Sequence, residues 1–143
     1  MSYRKKNKLP AIPLSKSLTL VAQTHANDLA NNPPDAASGC NMHSWSSNGK
    51  WSSCCFTDNN PPSSCMFDKP RELTNYKGDG YEIAYSWSTG VDADKALQGW
   101  KTSSSHNAVI INQGPNWTKK WNAIGIGIFG NYAVAWFGYD IDK

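Results

Sequence analysis

Charge is scarce in this chain of 143 residues: Asp, Glu, Lys and Arg together make up 17%, and the formal net charge is only +3. A nucleic-acid surface needs a stripe of basic residues along one face, interleaved with stacking aromatics. The one basic cluster, Tyr3-Arg4-Lys5-Lys6-Asn7-Lys8, is a short run at the chain start and reads as a solvated end. No nucleic-acid partner is expected. Long apolar runs are missing too, which excludes a transmembrane segment, and no secretory leader follows Met1. There is no Gly-x-Ser-x-Gly elbow, which excludes a serine hydrolase of that type. Neither internal repeat nor domain linker is evident, so residues 1–143 read as one domain with a single core.

Four cysteines are present, and what they lack is informative. Cys40, Cys54, Cys55 and Cys65 show no C-x₂-C spacing, so a structural zinc framework is disfavoured. Their even number, within a stretch rich in Ser, Asn, Gly and Pro and poor in core-forming residues, is the pattern of disulfides stapling a loop. A bond between the neighbours Cys54 and Cys55 would close a strained ring, so each should bond outward, to Cys40 and Cys65 in one order or the other. Disulfides imply an oxidising compartment. The expectation is a secreted protein whose leader has been removed, with Met1 added as a start.

Helical and strand patterns divide the chain. Leu18, Val21, Ala22, Ala26 and Leu29 recur at helical spacing within 17–31, and Pro33-Pro34 ends the pattern. His25 falls in step with that apolar face and reads as a core histidine bonded locally. From about residue 32 to 80 the chain is a stapled loop region, with one short helical candidate at 70–76. Residues 81–88 (YEIAYSWS) read as a strand. Thr89-Gly-Val-Asp92 has the form of a capping box, and Ala93, Ala96, Leu97 and Trp100 predict a helix behind it. Two apolar β-prone runs, AIGIGIF and YAVAWFG, flank Gly130-Asn131, a dipeptide suited to a hairpin turn. The order implies an α+β fold with helices packed on a small antiparallel sheet.

Three consecutive serines, Ser103 to Ser105, precede His106. Serine side chains compete for backbone hydrogen bonds, so this run is suited to end one helix and cap the next, placing His106 at the break, where it either faces a cleft or helps cap the turn. Seven tryptophans raise a carbohydrate-binding alternative. Trp100 and Trp136 fit the core pattern, whereas Trp45, Trp51, Trp117 and Trp121 lie in polar, loop-like surroundings, where they either present flat rings to sugars or cover the core.

Read together, LTLVAQTHANDLA (18–30), Asn41-Met42-His43-Ser44, Gly80-Tyr81-Glu82-Ile83-Ala84, Trp100-Lys-Thr-Ser103-Ser-Ser-His106 and the closing AIGIGI with YAVAWFG resemble the CAP superfamily of cysteine-rich secretory, antigen-five and pathogenesis-related proteins. The pattern is most similar to its bacterial SCP-like branch, which reads A-x-x-H-S-x-D-M-A, F-S-H, G-E-N-I-A and W-x-x-S-P-G-H. The resemblance implies a three-layer α-β-α sandwich. It implies that His43 and His106 face a central cleft with Glu82, the acidic residue of a motif whose register is altered here to Gly-Tyr-Glu-Ile. Where eukaryotic members carry a second glutamate, this chain has Ser103.

Two imidazoles and one carboxylate form the ligand set of some hydrolytic zinc sites. The candidate metal ligands are therefore His43 and His106, for a weakly held Zn²⁺ or another divalent ion. Glu82 is the one candidate catalytic group, but if it binds metal no general base is left, and if it is the base only two ligands remain. The first expectation is accordingly an extracellular binding domain for a metal, lipid or partner. The alternatives are a metal-assisted hydrolase of peptide or cell-wall material and a tryptophan-based carbohydrate-binding module.

Overall fold

A computed structural model of the chain describes residues 1–36, 39–57 and 65–143. Residues 37–38 and 58–64 of the anticipated loop region lie outside the described residues. In chain order the elements are α1 (Ser2–Lys6), α2 (Lys16–Asn31), a 3₁₀ turn (Pro34–Ala36), α3 (Lys69–Leu73), β1 (Tyr81–Ser86), α4 (Ala93–Thr102), α5 (Ser104–Ile110), β2 (Ala123–Phe129) and β3 (Tyr132–Gly138). The three strands form one antiparallel sheet in the order β1-β3-β2. Among the described residues no helix is long and apolar enough to cross a membrane.

Alternation along the strands builds three layers. Ala84, Val134 and Trp136 pack into one core with Leu18, Val21, Ala22, Ala26 and Leu29 of α2. Ile83, Ala133, Ala135 and Phe137 turn the other way, into a second core with Ala96 and Trp100 of α4 and Val109 and Ile110 of α5. This is the α-β-α arrangement. The Gly-Ile repeat in β2 has a steric cause: a Cβ on Gly125 or Gly127 would meet the α2 backbone at 2.1 Å (Leu18) or 2.3 Å (Ala22). Glycine lets helix and strand touch along their backbones.

The ends of α2 are tied at long range. Ser15 caps its N-terminus by accepting from the Leu18 N–H at 2.9 Å. Asp142, near the chain end, accepts from the Ser15 and Ser17 hydroxyls at 2.7 and 2.8 Å and from the Ser17 N–H at 2.9 Å. The β2–β3 turn places Gly130 at φ +58°, the positive φ that a II′ turn requires at its first central position.

Several local expectations shift. Helix α4 begins a turn later than a Thr89 cap would place it, because Asp92 is itself the N-cap and accepts from the Lys95 N–H at 2.8 Å. Strand β1 stops at Ser86, and Trp87 then donates from its backbone to Asn131 O at 3.0 Å. Helix α3 stops at Leu73, where the Thr74 hydroxyl bonds back to Pro70 O at 2.6 Å.

Two disulfides staple the loop region, Cys40–Cys55 and Cys54–Cys65, with Cα separations of 5.0 and 5.8 Å. Each of the adjacent cysteines thus bonds outward. Lys69 is buried beneath this region, its Nζ donating to Ser52 O at 2.8 Å and to Glu72 Oε2 at 3.0 Å.

The basic run at the chain start is not merely a solvated end. Arg4 is only 2% exposed; its Nη1 donates to Ile110 O at 2.6 Å and Asn112 Oδ1 at 2.7 Å, and its Nε to Pro10 O at 2.9 Å. The guanidinium satisfies a carbonyl at the C-terminus of α5, where a helix has unpaired acceptors and its dipole favours a cation. Arg4→Met keeps the stem but strands those acceptors, and should lower stability by about 1–3 kcal/mol in urea unfolding. An unchanged midpoint would show that these hydrogen bonds contribute nothing.

Candidate functional site

β1 is an edge strand, so the side chains along its open flank can meet residues from the loops and α5. Glu82 is the acid of this strand, and its side chain is fully buried. One carboxylate oxygen pairs with His25 Nδ1, and the other accepts from His43 Nδ1 at 2.8 Å. A buried carboxylate needs such partners, since an unpaired one is costly. Burial pushes the Glu82 pKa up, but the two imidazoles outweigh it and hold the group below its ordinary range.

His25 comes from the buried face of α2. Its Nε2 donates to Ser44 O at 2.8 Å, and its ring lies flat on Trp45, with centroids 4.1 Å apart and planes within 6°. Both of its ring nitrogens are thus engaged, one by Glu82 and one by the Ser44 carbonyl. The residue is indeed in the core. Its partners are remote in sequence, however, and not local ones.

Asp28, one helical turn along α2, accepts from the Ser46 N–H at 2.8 Å and the Ser46 hydroxyl at 2.5 Å. His25 and Asp28 thus hold the backbone on either side of Trp45. The loop residue His43 immediately precedes this clamped segment. Its own N–H donates to Asn41 Oδ1 at 2.9 Å, and its ring meets Phe56 edge-on. Its side chain remains 22% exposed.

His106 arrives from the other layer. Ser103 ends α4 and caps α5, and its hydroxyl lies 2.8 Å from His106 Nδ1, two elements of the serine turn meeting across one helical turn. The cap hydroxyl bonds this imidazole and makes no bond to a backbone N–H. Burial, and then the nearby His43, hold the His106 pKa below its ordinary range. Ser103 therefore orients one histidine as Glu82 orients the other.

The sequence-based site residues are placed as follows. Glu82, His43 and His25 form one hydrogen-bonded group, and His106 with Ser103 stands close enough for the two outer imidazoles to feel each other's charge. Glu82 has both oxygens engaged by imidazoles. His25 is the member the sequence reading left out. A polar residue on an otherwise apolar helix face was the available clue, because burial obliges it to find a partner.

Among the described residues no group of three or more His, Cys, Asp or Glu side chains could hold a metal ion. The pair His43 and His106 does fit one requirement of a metal site. With each Nδ1 engaged, the ligating nitrogen would be Nε2, and the partner of Nδ1 orients the ring. The tryptophans singled out as loop-like are otherwise placed. Trp45 and Trp121 are fully buried, with Trp121 Nε1 donating to Val109 O at 2.8 Å, and Trp51 and Trp117 are half-buried against the two cores. They cover the core.

The two downward shifts set the acid response of the metal-free protein. As pH falls, the unfolded chain takes a proton on residue 106 before the folded one does, so stability contributed by neutral His106 is lost below its ordinary value of 6.5. Glu82 contributes stability above its ordinary value of 4.5, and this is lost as pH falls through its depressed folded value. Denaturant midpoints measured across this range should fall in two stages, and His106→Gln should remove the upper stage alone. A wild-type profile retained in His106→Gln would contradict the assignment.

Comparison with known proteins completes the picture. No curated relative matches the chain. Among solved structures, an extracellular protein containing an SCP domain from Bacillus anthracis str. Ames superposes with a TM-score of 0.62 at 17% identity, covering 96% of this chain and 37% of that one. A cysteine-rich secretory protein from Staphylococcus aureus subsp. aureus Mu50 gives a TM-score of 0.58 at 12% identity, covering 96% of this chain and 34% of that one. The chain thus spans about a third of the length of these proteins, and at such identities the likeness speaks for the fold. The sequence profile of the cysteine-rich secretory protein family, CAP, matches residues 2–118, and the chain belongs to that family.

Proposed function

We propose that the protein is an extracellular binding domain whose cleft takes a divalent metal ion, such as Zn²⁺, between Nε2 of His43 and Nε2 of His106. The observation that carries this reading is the pair of second partners: Glu82 holds Nδ1 of one ring and Ser103 holds Nδ1 of the other. Each imidazole is thereby oriented through its inner nitrogen, as in metal sites where a carboxylate or other acceptor fixes a ligating histidine. When bound, the ion would supply a Lewis acid with open coordination positions for a ligand.

Two protein ligands imply modest affinity, because a closed tetrahedral site needs four. A hydrolytic role with both histidines on the metal would also need a further group, such as a free carboxylate, to take a proton from water. Glu82 supplies none, since both its oxygens are held by imidazoles. Binding is therefore favoured over hydrolysis. Extracellular placement is supported by the two disulfides, which persist in oxidising compartments, and by the extracellular and secretory descriptions of the structurally similar bacterial proteins.

Zinc calorimetry near neutral pH and again about a unit below the ordinary histidine pKa of ~6.5 tests the reading. Protons compete for the same nitrogens, so binding should weaken at the lower pH. His43→Ala and His106→Ala should each abolish the pH-dependent component, and Ser103→Ala should weaken binding by about tenfold through loss of ring orientation. Wild-type affinity in the His43/His106 double alanine variant would remove the metal reading.

A further inference from the structure

We propose a second binding site, for an uncharged saccharide chain, formed by Tyr85, Trp87 and the outer stripe of α4. It is independent of the histidine cleft. Tyr85 and Glu82 differ in parity along β1, so they project to opposite faces of the sheet.

Trp87 is a large ring left at the surface, 51% exposed just beyond the end of β1. Its plane lies within 4° of the Tyr85 ring, with centroids 6.5 Å apart. The ring is held in place. The Trp87 N–H donates to Asn131 O at 3.0 Å, Trp87 O accepts from the Gly90 N–H at 3.2 Å, and Lys95 Nζ sits 5.8 Å from the ring centroid. An exposed ring already fixed by its backbone bonds and by the Tyr85 stack costs little entropy when a ligand meets it.

Helix α4 is shaped to this pair. Gly99 stands within the helix, where glycine costs about 1 kcal/mol relative to alanine. A Cβ there would lie 2.2 Å from the Tyr85 ring, so the glycine makes room for the aromatic against the helix backbone. Lys95, Gln98, Gly99 and Thr102 recur at i, i+3, i+4 and i+7, one stripe that lines a groove with Tyr85 and Trp87. An ammonium, an amide and a hydroxyl thus border two flat rings.

That combination suits a sugar. A pyranose presents a C–H face that stacks on an aromatic ring, and equatorial hydroxyls that both donate and accept hydrogen bonds at its rim. Trp87, half-exposed at the groove, is the ring such a face would meet, with Tyr85 stacked behind it. Charge argues against the other stacking ligand, a single-stranded nucleic acid, which needs a positively charged groove along its backbone. Here Asp92 and Asp94 face a single cation, Lys95, so a polyanion is repelled.

The test is titration of the full chain with cellohexaose and with chitohexaose in the presence of EDTA, read by tryptophan fluorescence and by the indole N–H signals in NMR. Chelation keeps the metal reading out of the result. One of the two should bind at millimolar concentration or better and move the Trp87 indole signal. Trp87→Ala should weaken binding by about tenfold or more, as for an anchoring aromatic, without shifting the thermal midpoint, because the ring is exposed. Gln98→Ala should weaken it less. Absence of binding by both oligosaccharides would overturn the proposal, as would undiminished binding in Trp87→Ala. Preferential, salt-sensitive binding of a single-stranded oligonucleotide would overturn it as well.

Discussion

One carboxylate between two imidazoles organises the structure. Glu82 is fully buried on an edge strand, and neither of its oxygens reaches water without displacing a histidine. Removing one partner of a buried charged pair typically costs about 3–5 kcal/mol, because the other charge is left uncompensated. The fold must therefore bring α2, the segment around residue 43 and β1 to a common point. Gly125 and Gly127 make this possible by letting α2 lie against β2 without intervening side chains. Trp45, stacked on His25, then closes the space beneath the pair.

The two outer histidines are oriented by unlike chemistry. His43 leans on a carboxylate. His106 leans on a neutral hydroxyl, and burial next to His43 disfavours its charged form. Ser103 supplies the hydroxyl in place of capping a backbone N–H, a substitution that forgoes a capping bond worth about 1 kcal/mol. Local helix stability is given up for placement of a side chain.

How much of this could be read from the sequence depended on the range over which each residue is satisfied. Helix α2, the body of α4 and the β2–β3 hairpin were legible because apolar spacing and a Gly-Asn turn are local patterns. Cysteine pairing was legible down to two orders, and adjacency alone ruled out the third. His106 was marked locally by the serine run before it, whereas His43 and Glu82 emerged only from a resemblance across five motifs, since nothing local in residue 43 or 82 announces a site. His25 was misjudged in its partners because they lie 19 and 57 positions away. Arg4 and Lys69 were illegible for the same reason. Each is a cation buried against carbonyls that no local window contains. For Trp45 and Trp121 polar neighbours in sequence left two readings open, sugar-facing or core-covering, and both rings are buried.

The stapled region holds His43 in two ways. Residues 40–57 bury Trp45 and pack Met42, Trp51 and Phe56 against the first core, and the disulfides add a covalent constraint. Closing loops of 15 and 11 residues removes entropy from the unfolded chain, by about 3 kcal/mol for a 15-residue loop in the chain-entropy model. The antiparallel bridge between Trp45 and Cys54 ties the two staples to the segment that His25 and Asp28 grip from α2. His43 is thereby positioned by covalent bonds on one side and by buried hydrogen bonds on the other. The His43 imidazole is therefore placed by the fold itself, so the ordering cost that a flexible loop would carry is met during folding.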